Sequence, residues 1–291
     1  MFSSVKRFIV AACLILILFV ACYQAPITQR SQVILISEAQ EVSMGLTAFQ
    51  QVLGKADISD DPFLNEAVRR VGTRIARVSE RPNYNWEFKV IDAPDTVNAF
   101  ALPGGKMAVY TGIIPIAENE AGLATVMSHE IGHVIARHGG ERISMGILAE
   151  LGAVGLNVAL KNKDPDTIRT VNMAYGLGTT LGIILPFSRT QESEADRIGL
   201  VYMAKAGYDP REALYFWERM ESEKINRLRP PEFLSTHQAM ELGLSRLRLG
   251  SLRLWSIMQP HRKRQTECSL RLGPIWIHST IQPRIDTNRH E

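Results

Sequence analysis

Five consecutive residues, His129-Glu130-Ile131-Gly132-His133, constrain this chain more than any other stretch. They lie in a helical, apolar setting that includes Leu123, Val126, Met127, Ile131, Val134 and Ile135. Two histidines and a glutamate on a core helix are costly unless they are used. Positions four apart share a helix face, so both imidazoles can reach one Zn²⁺ at the ~2.0–2.1 Å of a zinc–nitrogen bond. Glu130 then stands where a general base for an attacking water is needed. A fold built on this helix must bring it a third ligand and leave one position open for chemistry.

The candidate for that ligand lies downstream, in Arg189-Thr190-Gln191-Glu192-Ser193-Glu194-Ala195-Asp196. Glu192 and Asp196 are four apart and share a face, whereas Glu194 points about 200° from Glu192. Glu192 can ligate while Asp196 orients a ligating histidine from behind. The competing reading of these acids is a solvated first helical turn that favours the helix dipole. His138, five residues past His133, rotates off the ligand face and is not expected to bind metal. The three cysteines, Cys13, Cys22 and Cys268, form no CxxC pair, which excludes a cysteine zinc site.

Around these motifs the chain reads as α+β and mostly helical. A helix is expected from about Val33 to Leu53. Asp61-Pro62 marks the start of another, with Phe63, Leu64, Ala67, Val71 and Ile75 on one stripe. Trp86–Ile91, Val97–Leu102 and Lys106–Tyr110 read as strands of a three- or four-stranded sheet, turning at Pro103-Gly104-Gly105. Further helices are expected over Glu118–His138, from Asp164-Pro165 to about Leu185, from Thr190 to near Gly207, and from Asp209-Pro210 onward. The apolar stretches 143–160 and 171–187 carry polar interruptions and are barely long enough to cross a bilayer. They read as core or membrane-leaning helices, with insertion as the alternative.

The N-terminus is a targeting segment. Lys6 and Arg7 precede an unbroken apolar run from Phe8 to Cys22, short for a bilayer span of about 20 residues and right for a signal segment. Phe19-Val20-Ala21-Cys22 resembles a bacterial lipobox, which would make Cys22 the lipidated first residue of the mature protein. The alternatives are an ordinary cleaved signal and a short uncleaved anchor. The organisation read is signal segment 1–22, polar linker 23–33, catalytic body 34–240 and basic tail 241–291. Residues 238–291 hold nine Lys or Arg against four Asp or Glu, while the whole chain is only +3. No dense basic face marks a nucleic-acid partner.

HExxH followed about sixty residues later by Glu-x-x-Ala-Asp resembles the gluzincin family of membrane-associated zinc metallopeptidases. That family includes the HtpX heat-shock protease, the CAAX prenyl endopeptidases and the periplasmic peptidases BepA and LoiP. Asn98–Gly105, Ser188-Arg189 and Ala195-Asp196-Arg197 add to the likeness, which covers roughly residues 35–240. The resemblance implies a zincin-like fold with one Zn²⁺ on His129, His133 and Glu192, Glu130 as base and Asp196 in support. It implies a zinc endopeptidase acting on unfolded or misassembled envelope proteins, lipid-anchored on the periplasmic side, at the outer membrane if the host is a diderm bacterium. A non-catalytic metal-stabilised chaperone and a membrane-embedded prenyl-protease-like peptidase are the rivals. Phe233-Leu234-Ser235-Thr236-His237 resembles a segment of the exported members, and His237 is either a plug for the open zinc position or a structural histidine near the cleft. From Gln238 onward no family pattern is evident. The tail reads as a lipid-touching segment, a poorly ordered end or the product of a changed coding frame.

Overall fold

The computed structural model describes residues 22–226, so the segment before Cys22, His237 and the tail 241–291 lie outside the described residues. The chain enters through a hairpin, β1 (Cys22–Gln24) paired antiparallel with β2 (Ser31–Val33), Cys22 opposite Val33. The segment expected as a polar linker is therefore structured. Ala25 and Gln32 are buried, because the polar groups of this segment find partners in the body below it. Helix α1 (Glu38–Leu53) starts later than expected, since β2 takes Val33 and Ser37 supplies a capping box with Gln40.

Helix α2 (Pro62–Val78) begins where Asp61-Pro62 places it, with Asp61 accepting from the backbone of Phe63 and Leu64. Ala67, Val71 and Ile75 are buried along the expected stripe, but Phe63, in the first turn, is 72% exposed. Three strands follow: β3 (Glu87–Ile91), β4 (Ala99–Leu102) and β5 (Lys106–Tyr110), in the order β3-β5-β4. β3 runs parallel to β5 and β4 antiparallel to it. Gly104 and Gly105 turn between β4 and β5 with φ near +87°, open to glycine at little cost. β4 is an edge strand, packed on the motif helix.

A short 3₁₀ turn and helix α3 (Ile114–Ala117) lead into α4 (Glu120–Ile135), whose cap Asn119 accepts from Ala121 and Gly122. α4 is buried from Gly122 to Ile135. The single helix expected over 118–138 is broken at Arg137, which adopts the left-handed conformation, φ 55° and ψ 35°. Helix α5 (His138–Leu160) therefore leaves in a new direction. Asp164 caps α6 (Pro165–Thr179), one π-helical turn (Thr180–Ile184) follows, and α7 (Leu185–Lys205) continues. The expected break near residues 185–190 is absent. The π turn at 180–184 leads directly into α7 instead. Helix α8 (Glu212–Asn226) closes the described chain.

The main core gathers Val71 and Ile75 of α2, Met107 of β5, Met127 and Ile131 of α4, Ile198 and Tyr202 of α7, and Phe216 of α8. α4 and α7 approach closely. A Cβ on Gly132 would lie 2.9 Å from the Ala195 carbonyl, and one on Gly199 would lie 3.0 Å from the His129 nitrogen. The α+β, mostly helical fold is thus as expected. The helices over 143–160 and 171–187 are not core helices, however. Burial in α5 stops at Ser144, and α6 has no buried residue. α5 is the one helix among the described residues long and apolar enough to cross a membrane.

Candidate metal centre

Adjacent turns of α4 and the first half of α7 bring three donor atoms together. His129 Nε2 and His133 Nε2 are 3.1 Å apart, and Glu192 Oε2 lies 3.4 Å from each. A tetrahedral site with metal–ligand bonds of ~2.0–2.1 Å has an edge of ~3.3 Å, so this triangle has the size such a site requires. All three side chains are buried, and together they could hold a metal ion. Glu130, also buried, is carried on the same turn of α4.

Each imidazole is held from behind. His129 Nδ1 lies 2.9 Å from Asp196 Oδ1, so its N–H donates there and Nε2 is turned to the donor triangle. Trp217 of α8 packs edge-on to His129 with centroids 6.0 Å apart. His133 Nδ1 lies 2.8 Å from His138 Nδ1, and His138 Nε2 lies 3.0 Å from Glu194 Oε2. Glu194 accepts in turn from Arg30 Nε at 2.6 Å and from Thr28 Oγ1. On the α7 side, Arg142 Nε donates to Gln191 at 2.6 Å and Arg142 Nη2 lies 3.4 Å from Glu192 Oε1.

The protein groups alone divide the two histidines sharply. Burial disfavours the charged form of His129, but hydrogen bonds to Asp196 and Glu192 outweigh it and push its pKa up to about 10. Burial dominates at His133 and takes it down to about 3, despite the hydrogen bond to Glu192. A positive charge on His129 is thus favoured between Asp196 and Glu192, and a divalent cation would take over that role.

The structure brings together His129, Glu130, His133, Glu192 and Asp196, all singled out from the sequence. His138 and Glu194, both off the expected ligand face, do not join the donor triangle. Both are nevertheless built into the site, one turn further out. Periodicity extended across Arg137 hides this, because the left-handed residue there swings His138 back over His133. The glycine pair Gly139-Gly140 after it was the signal that the helix could turn.

The sequence profile of Peptidase family M48 matches residues 62–248. The match runs past Gln238, so the first part of the tail does carry family pattern. The mitochondrial metalloendopeptidase OMA1 of Schizosaccharomyces pombe is 34% identical over 257 residues, covering 86% of this chain and 71% of that protein. The OMA1 of Saccharomyces cerevisiae is 30% identical over 267 residues, 84% and 72% respectively. The β-barrel assembly-enhancing protease of Escherichia coli K12 is 31% identical over 214 residues, 72% of this chain but 43% of the relative. A profile match over most of the body, on a fold that assembles a His-His-Glu cluster, leaves one assignment: this chain belongs to Peptidase family M48 and is a metallopeptidase.

Proposed function

We propose that the chain is a zinc endopeptidase with one Zn²⁺ held by His129, His133 and Glu192. The observation that carries this reading is the 3.1–3.4 Å triangle of donor atoms. When bound, zinc polarises the scissile carbonyl and lowers the pKa of the attacking water toward ~7. Glu130, between the two histidines in sequence, takes the proton from that water and returns it to the leaving amine. Asp196 keeps His129 in the tautomer that ligates. The free edge of β4, packed on α4, takes an extended peptide by strand addition, which gives main-chain affinity with loose side-chain selection.

That mode of binding suits unfolded or misassembled proteins of the cell envelope, a substrate class further supported by the relative named for enhancing β-barrel assembly. In this reading residues 1–22 export the chain, Cys22 carries a lipid, and the body works at a membrane on the periplasmic side, the outer membrane in a diderm host. The compartment rests on residues 1–22 alone, since the yeast relatives carry mitochondrial names. A membrane-embedded, prenyl-protease-like arrangement is favoured by one observation, the exposed apolar flanks of α5 and α6. A purely metal-stabilised chaperone would have no use for Glu130.

The test is casein cleavage by the full chain in detergent, with a chelator and with Glu130→Gln in parallel. About one zinc per chain is expected, with cleavage abolished by the chelator. Glu130→Gln should lose activity by at least the ~10²–10⁴-fold of a general base while keeping its metal. One bound zinc without cleavage would favour the chaperone, and no bound zinc would overturn the site.

A further inference from the structure

The hairpin at the start of the described chain does not merely rest on the body. Its turn holds two non-glycine residues at positive φ, Ile27 at 65° and Gln29 at 58°. A β-branched residue there is an unusual conformation. It places Thr28 and Arg30 over two buried carboxylates. Arg30 spans them: Nε donates to Glu194 at 2.6 Å, while Nη1 and Nη2 donate to Glu141 at 2.7 and 2.6 Å. Gln32 Nε2 donates to Glu141 at 2.8 Å and to the Ala136 carbonyl at 2.9 Å, and Gln191 Nε2 donates to Glu141 at 2.9 Å. Glu141 and Glu194 are both almost wholly buried. Buried carboxylates are tolerated only when paired in this way, so the guanidinium fork holds both in place.

Glu194 then acts on His138. If His133 ligates through Nε2, its Nδ1 carries the proton and donates to His138 Nδ1, 2.8 Å away. His138 must accept there, so its own proton sits on Nε2 and donates to Glu194 at 3.0 Å. One fixed sequence of hydrogen bonds runs from His133 through His138 and Glu194 to Arg30. We propose that Arg30 and His138 are positioning residues for the metal site, and that the N-terminal hairpin thereby sets how firmly His133 holds the metal. The inference rests on His133 being a ligand, as argued above. It ties the site to the arm that joins the body to the apolar segment 8–22.

The experiment uses the full chain, loaded with zinc or with cobalt. It follows metal release to a chromogenic chelator, the Co²⁺ visible spectrum, and thermal unfolding with and without metal. His138→Leu and Arg30→Ala should release zinc ~10–100-fold faster and alter the cobalt spectrum, the range typical of groups that orient ligating histidines. The gain in melting temperature on adding metal should shrink. His138→Gln should restore wild-type release, because its amide can accept from His133 and donate to Glu194. A purely structural role would lower both melting temperatures equally and leave release unchanged; that result in Arg30→Ala overturns the proposal. Should Arg30→Ala and His138→Leu fail to fold, Arg30→Lys decides. It keeps a charge but loses the fork, and release within twofold of wild type would equally overturn it. Failure of the wild-type chain to bind metal would instead overturn the ligand assignment.

Discussion

α4 packed on α7 and α5 packed on α6 are both antiparallel, glycine-containing helix pairs, and they meet opposite fates. α4 is buried along most of its length although it carries His129, Glu130 and His133. α5 is among the most apolar helices of the chain, yet Leu151, Val154 and Val158 are 56–63% exposed. On α6, Met173 and Leu177 are each 61% exposed. The polar groups of the second pair are spent on joining the two helices: Asn172 Nδ2 donates to Asn157 Oδ1 at 2.9 Å and Tyr175 Oη to the Ala149 carbonyl at 2.8 Å. The exposed residues fall on flanks turned away from that seam by helical periodicity. Hydrophobicity alone therefore does not say which helix forms the core. Backbone approach does: Gly132 and Gly199 lie against backbone, whereas Gly152 of α5 faces only the Tyr175 side chain.

The comparison breaks most visibly at those glycines. Gly132→Val places a branched Cβ 2.9 Å from the Ala195 carbonyl, a backbone atom that cannot swing aside. Forcing α4 from α7 should cost about 3 kcal/mol. It should also separate His129 and His133 from Glu192, so metal binding and chemical denaturation should fall together. Stability within 1 kcal/mol of wild type would mean that the close approach is not what positions the site.

A second prediction concerns the charge that the α4–α7 pair encloses. Held at about 10 against an ordinary 6.5, His129 is protonated at pH 7 in the metal-free protein, whereas His133, near 3, is already neutral. Metal uptake must displace the His129 proton and none from His133. Calorimetry in buffers of different ionisation enthalpy should find about one proton released per metal at pH 7–8. Apparent affinity should rise ~tenfold, or about 1.4 kcal/mol, per pH unit up to about pH 10. The same raised pKa stabilises the metal-free fold fully below pH 6.5, and that contribution is lost as pH climbs through 10. Release of none contradicts the assignment.

Much of the first pair was legible from the sequence, and little of the second. HExxH fixes its own helix face, and Glu192 with Asp196 fix another by the same four-residue spacing. Asp61 and Asp164 mark helix starts because a short carboxylate satisfies free backbone N–H groups. The helix misses come from reading helix limits off local pattern alone. Arg137 ends the motif helix by one left-handed residue, and a π turn leads on into α7 where a break was expected. His138 and Glu194 fall off the ligand face by angles counted along intact helices, and the segment that carries Arg30 reads only as a polar linker. Glu194 lies 56 residues from His138 and 164 from Arg30, beyond the reach of any local pattern.

Gly155 gives the contrary test to Gly132. A Cβ there would meet nothing within 4 Å, and the position is exposed in mid-helix. Gly155→Ala should therefore stabilise by roughly 0.5–1 kcal/mol, through lower backbone entropy in the unfolded chain. A loss of stability would mean that α5 is covered at this point.

The smallest expected effect is also the one that identifies what the outer flank of α5 faces. Leu151, 61% exposed, is far from every residue of the metal site in sequence and lies beyond Ser144, where burial in α5 ends. Leu151→Trp should leave the melting temperature of the detergent-purified chain unchanged within about 0.5 kcal/mol, as exposed substitutions do. In vesicles whose acyl chains carry bromine, the added indole should be quenched relative to the parent chain if this flank lies in lipid. The apolar surface would then be solvated by hydrocarbon, and its exposure would cost nothing in the working state. Unquenched fluorescence with unchanged stability would put the flank in water, whereas a clear loss of stability would mean protein covers it. In either case the membrane-facing arrangement of the α5–α6 pair would fall while the α4–α7 metal site stood.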